Sequence, residues 1–97
     1  MYVMAMRMEL RFPGAQSLKE KRSLLRPVLD GGRHRFPVAM AEVDHQDSWQ
    51  RAAVGVAAVS STATKAAQVL DDVERFVWTL PELEVLDADR EWVEMDR

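Results

Sequence analysis

Between Tyr2 and Phe12 the chain alternates with a period of two. Tyr2, Met4, Met6, Met8, Leu10 and Phe12 are apolar, while Arg7, Glu9 and Arg11 are charged. Successive side chains of a β-strand point to opposite faces, so this pattern predicts a strand with one buried and one wet face. Such a strand needs neighbours beside it and an apolar layer over one face only. The methionines read as flexible core filling rather than as a soft ligand-binding surface. Pro13 and Gly14 end the strand.

A second constraint lies between Glu42 and Ser61, EVDHQDSWQRAAVGVAAVSS. Val38–Val43 and Arg51–Val59 are short runs rich in Val and Ala, joined by the polar stretch Asp44–Gln50. Two strand-like runs around a compact polar loop read as an antiparallel hairpin. The second run carries Ala52, Ala53, Gly55, Ala57 and Ala58. Small side chains on both faces predict a central strand against which something packs closely, with helices as the expected cover.

Two helices complete the pattern. Ser17 to about His34 opens with a capping box, in which Ser17 caps the helix and Glu20 reaches back to the cap. Leu18, Leu25, Val28 and Leu29 share one face, and Lys19, Arg22, Arg26 and Arg33 share another, interrupted by Asp30. Pro27 removes one backbone bond and predicts a bend. Gly31 and Gly32 predict fraying or an end. A second helix, with Ser60, Ser61 or Thr62 as its cap, runs to about Trp78 and buries Ala63, Ala66, Ala67, Leu70, Val73 and Val77. Leu83–Met95 is the last strand, and Val85-Leu86 breaks its alternation, as a bulge would.

The order is β-α-β-β-α-β. Right-handed crossovers on both halves give an α+β ferredoxin-like sandwich, a four-stranded antiparallel sheet with two helices on one face. Arg7, Glu9 and Arg11 then point to the uncovered face, which must be solvated, bound to a ligand or buried in a partner.

With 97 residues, the chain reads as a single domain over 1–97. Its apolar fraction of 47% is that of a folded protein. The absence of cysteine excludes disulfides and thiolate metal sites and fits a cytoplasmic setting. No apolar run approaches the roughly 18 residues that span a membrane, and the charged N-terminus does not read as a signal peptide. The net charge of −3 conceals an asymmetry: Arg7–Arg35 holds eight basic and three acidic residues, and the rest of the chain is acidic. Uneven charge of this kind allows a basic face on an acidic protein, with ordinary solvated surface as the favoured alternative until the basic residues cluster in space.

The segment SLKEKR at Ser17–Arg22, with AEVDHQDSWQRAAVGVAAVSS at Ala41–Ser61, resembles the YlxP-like family of small bacterial proteins. The resemblance covers nearly the whole chain. Its most specific pieces are Ser17, Leu18, Lys19, Lys21 and Arg22, and then Glu42, Val43, Asp47, Trp49, Gln50, Arg51 and Ala52. It implies a ferredoxin-like fold and a bacterial cytosolic protein of no settled activity, so it transfers no catalytic residue. Genes of this family often neighbour those for translation initiation and ribosome maturation factors, which associates the resemblance with RNA or the ribosome. Pro27 and the acidic last strand depart from the family's pattern.

Lys19, Lys21, Arg22, Arg26, Arg33 and Arg35 are the candidates for contact with RNA phosphates. Glu42, Asp47, Trp49, Gln50 and Arg51 are the candidates for an interface at the hairpin, with Trp49 stacking on a base, anchoring a partner or folding back on its own sheet. Glu42 is expected to pair with a basic residue, for which Arg51 is at hand, and Asp47 to bond local backbone. The outward positions of the central strands hold no aromatic pair, which argues against base stacking on the sheet face. Ala53, Gly55, Ala57 and Val59 instead suit a sheet-on-sheet homodimer.

Phosphate-binding glycine loops and nucleophile motifs are absent, as is asparagine, which an acylphosphatase-type loop would require. No catalytic residue, metal or cofactor is assigned. The leading expectation is a non-catalytic, dimerising protein that associates with RNA or ribosomal particles through its basic helix, with ribosomal RNA or a ribosomal protein as the partner. The alternatives are a small enzyme or ligand-binding domain using Glu42, Asp44 and His45, and a protein–protein adaptor.

Overall fold

A computed structural model describes residues 1–94. The chain forms β1 (Tyr2–Arg11), α1 (Leu18–Arg35), β2 (Val38–Asp44), β3 (Arg51–Ser60), α2 (Ala63–Trp78) and β4 (Glu84–Val93). The strands form one antiparallel sheet in the order β2-β3-β1-β4. This is the ferredoxin-like arrangement, with β1 and β3 central, as the order of elements predicts. The expected last strand reached to Met95, which lies outside the described residues.

The alternation in β1 sorts its side chains as predicted. Met4, Met6, Met8 and Leu10 are buried, whereas Arg7 and Arg11 are exposed. Ala52, Val54, Val56 and Ala58 of β3 face the same core, which Leu25 and Val28 of α1 and Ala66, Leu70, Val73 and Val77 of α2 close from the other side. Burying one such aliphatic side chain contributes about 1.5–3 kcal/mol, so this seam dominates the stability. On the far edge, Arg90 of β4 donates to Asp71 and Glu74 of α2 at 2.7 and 3.1 Å and fastens helix to sheet.

The bulge in the last strand is real. Glu9 faces Asp87 and Leu10 faces Val85, so Leu86 is the extra residue, half-exposed at the edge.

Several details depart from expectation. The Ser17 hydroxyl accepts from the Glu20 N–H at 3.1 Å, but the Glu20 carboxylate accepts from the Gln16 N–H at 2.8 Å, one residue before the cap. α1 does not fray at Gly31-Gly32. It continues to Arg35, because these glycines serve packing rather than termination. A Cβ on Gly31 would lie 2.8 Å from the Phe76 ring, and one on Gly32 would strike the Met40 sulfur. The helix also continues past Pro27, on its exposed side, where water can satisfy the carbonyl that the proline leaves without a donor. As expected, no helix covers the open face, and Gly55 there serves a close approach within the sheet. Gly55 makes room for Val43 of the neighbouring strand, whose Cγ1 would be 2.9 Å from a Cβ there.

Candidate functional site

The hairpin loop, residues 45–50, is tied down from both sides of the sheet. On the helix side stands Lys21, whose side chain has no solvent exposure. Its ammonium donates to the Glu42 carboxylate at 3.1 Å and to the carbonyls of His45 at 2.8 Å, Gln46 at 3.4 Å and Arg51 at 3.2 Å. A buried ammonium is tolerated only when paired and hydrogen-bonded, and this one has both. Lys21 therefore does not present a charge to phosphate, contrary to its expected role in the basic stripe. Glu42 pairs with Lys21, not with Arg51, because its side chain points to the helix face of β2 along with Val38 and Met40.

On the open face the centre is Glu9. Its carboxylate accepts from Arg7 at 3.0 and 3.1 Å and from Arg51 at 3.3 Å, and lies 3.1 Å from Nε2 of His45. Arg7 also donates to Asp44 at 3.1 Å. Burial works to raise the Glu9 carboxyl, but the hydrogen bonds from Arg7 and Arg51 and the charge of His45 outweigh it, so Glu9 titrates below its ordinary value. Asp44 is also held low, first by the backbone N–H of His45, then by Arg7. His45 adopts the left-handed conformation at φ 63°, which lets the chain turn while its ring returns to Glu9. The two arginines of this cluster are matched by two carboxylates, so neither guanidinium is free for an anion.

The hairpin candidates therefore do not form one surface. Glu42 lies under Lys21, and Arg51 lies on the open face. The Gln50 amide donates to the carbonyls of Pro13 and Ala15 at 3.3 and 3.1 Å. Asp47 and Trp49 remain at the exposed tip. The aspartate that bonds local backbone is Asp44, not Asp47, because it immediately precedes the left-handed turn. Glu42 is separated by the sheet from Asp44 and His45, so these three do not share a groove. Among the described residues, no three His, Asp or Glu side chains converge as a metal-binding group.

The remaining cations of α1 differ among themselves. Arg33 donates to the Met40 carbonyl at 2.8 Å and lies 3.6 Å from Asp30. Arg35 stacks on Phe76 at 4.7 Å. Lys19, Arg22 and Arg26 are exposed and make no ion pair among the described residues. Arg22, Arg26 and Arg33 line a groove of about 420 Å³ beside Glu42. Across the sheet, the open face holds a shallow concavity of about 630 Å³ with Ala5, Ala39, Ala41, Gly55 and Ala57 in its lining.

A buried lysine clamp, a rigid hairpin and a ridge of exposed cations on a ferredoxin-like frame define a small α+β protein with a preformed tip. Residues 3–90 match the family described as "Protein of unknown function (DUF503)". The chain is 40% identical over 78 residues to the "Uncharacterized protein YlxP" of Bacillus subtilis (strain 168), covering 80% of this chain and 85% of that protein. The chain belongs to this family. No helix among the described residues is long and apolar enough to cross a membrane.

The basic stripe was legible because steps of three, four and seven align residues on a helix. The clamp was missed, although it left a signal. Lys21 stands three residues after Leu18, four before Leu25 and seven before Val28, on the apolar stripe. Glu42 alternates with Val38 and Met40 on the buried face of β2. Two misplaced charges of opposite sign, on elements adjacent in the predicted fold, are each other's natural partners.

Proposed function

We propose that this protein is non-catalytic and binds RNA, including RNA within ribosomal particles, through the exposed ridge of α1. One observation supports this reading above others. Arg7, Arg11, Arg51, Arg75 and Arg90 are each matched with a carboxylate, whereas Lys19, Arg22 and Arg26 are exposed and, among the described residues, unmatched on successive turns of one helix. Lys19 and Arg26 are seven residues apart, which is about 10 Å along the axis, a length over which one strand of a duplex presents about three phosphates. Arg33 extends the row if its bond to Met40 is exchanged for phosphate.

The test is binding of the purified protein to ribosomal subunits and to bulk RNA across a salt series. Each neutralised phosphate contributes about 0.7–0.9 to the slope of log K against log salt, so three contacts give a slope of about −2 to −3. The triple variant Lys19→Glu, Arg22→Glu, Arg26→Glu should abolish retention at low salt. Absence of binding at any salt sinks the reading.

The same proposal includes a homodimer through the open sheet face. The apolar concavity beside Ala39, Ala41 and Ala57 supports it, since side chains this small let two sheets approach closely. In such a dimer the two α1 ridges face outward, away from the interface.

A further inference from the structure

The tip of the hairpin carries an indole that the protein's own packing does not use. Trp49 is 57% exposed, forms no aromatic pair and donates no hydrogen bond among the described residues. Its surroundings are fixed nonetheless. Ser48 N–H donates to the His45 carbonyl at 3.0 Å, and the Ser48 hydroxyl accepts from Arg51 N–H at 3.1 Å. On the other side of Trp49, the Gln50 carbonyl accepts from Phe12 N–H at 2.7 Å, and the Gln50 amide holds the turn after β1. Lys21 adds its three carbonyl contacts. A large exposed aromatic on a mobile loop would lose entropy on binding, whereas one on a loop held this way has little left to lose.

We propose that Trp49 is a stacking platform for an unpaired base of the RNA whose phosphates lie on α1, an inference that rests on the reading above. Lys21 ties the loop to the first turn of α1, the turn that carries Lys19, so the indole and the start of the cation ridge occupy one end of the molecule. The composition of the loop favours a base over a protein. An aromatic anchor of a protein interface sits within an apolar patch that excludes water. The loop that carries Trp49 is polar on both sides of it in sequence, at Gln46, Asp47, Ser48, Gln50 and Arg51. Asp47 repels phosphate from the tip itself, so the base approaches there and the backbone is held at the helix. Stacking on an aromatic face is the common mode for unpaired bases, and it is tolerant of base identity.

The test compares two labelled blunt-ended RNA duplexes, one fully paired and one with a single bulged, unpaired nucleotide, by fluorescence anisotropy at fixed salt. The wild-type chain should prefer the second. Trp49→Ala should weaken that complex by about 5- to 100-fold, the range for loss of one stacked base, and leave the paired RNA unchanged. Trp49→Leu keeps apolar bulk without an aromatic face and should lose the same preference, while Trp49→Phe should retain most of it. Equal binding of the two RNAs by wild type, or an equal loss on both in Trp49→Ala, overturns the platform and leaves the helix reading standing. Loss of all RNA binding by wild type overturns both.

Discussion

The Lys21 ammonium and the Glu42 carboxylate meet at 3.1 Å in the seam between α1 and β2, with the lysine wholly enclosed. Removing one partner of a buried pair leaves the other charge without compensation, which costs about 3–5 kcal/mol. Lys21→Met is expected to destabilise by that amount in denaturant unfolding. Glu42→Gln keeps an acceptor and should cost about 1–2 kcal/mol. The double variant should be less destabilised than Lys21→Met alone but not fully recovered, since three loop carbonyls still lack their donor. Strict additivity of the two single changes would show that the pair is not coupled.

Acid should weaken the hairpin end of the open face. Glu9 and Asp44 titrate below their ordinary values of 4.5 and 3.8 in the folded chain. Unfolded chains therefore bind protons more readily than the folded one, so this contribution is full above the ordinary carboxylate range and is lost as pH falls through the lowered folded values. Thermal melts should decline below about pH 5. Glu9→Gln should flatten that limb, with a cost at neutral pH of no more than about 1 kcal/mol for such a partly solvated network. Parallel limbs in the two proteins would remove Glu9 from the explanation.

Gly32→Ala separates helix propensity from packing. Alanine is favoured over glycine in a helix interior by about 1 kcal/mol. Here the added methyl meets the buried Met40 sulfur, and overpacking of a filled core costs about 1–3 kcal/mol. The net change should be destabilising, read as a lower midpoint in urea. A raised midpoint would mean that Met40 repacks freely.

The proposed sheet-face dimer makes a prediction independent of RNA. Ala41→Glu with Ala57→Glu puts two carboxylates into the concavity between the facing sheets. Sedimentation should move from dimer to monomer, while the melting curve at low concentration stays close to that of the parent. A wild-type chain that sediments as a monomer at high micromolar concentration ends the proposal.

Much of this architecture is written in local pattern. The alternation survives from Met4 to Phe12, with Tyr2 exposed at the strand's start, and Val85-Leu86 marks the bulge because one extra residue must break a period of two. Gly31-Gly32 misleads for a definite reason. The same residue ends a helix by its backbone freedom and permits close approach by its lack of a side chain, and only the positions of Phe76 and Met40 decide between these uses. The site is less legible than the fold. The row of Lys19, Arg22 and Arg26 follows from helical spacing, but the withdrawal of Lys21 from that row depends on carbonyls 24 to 30 residues away. The network of Glu9, His45 and Arg51 likewise depends on which residue of the loop turns left-handed, and the sequence DHQDS offers several.

The Lys21 contacts to the loop reach carbonyl oxygens of His45, Gln46 and Arg51 and ignore their side chains. The path of the loop is thereby insulated from much of its own composition. Substitutions at Gln46, Asp47 or Trp49 can alter the chemistry of the tip without altering where it stands. A frame of this kind separates the position of a surface from its composition, because the lysine beneath holds only the main chain.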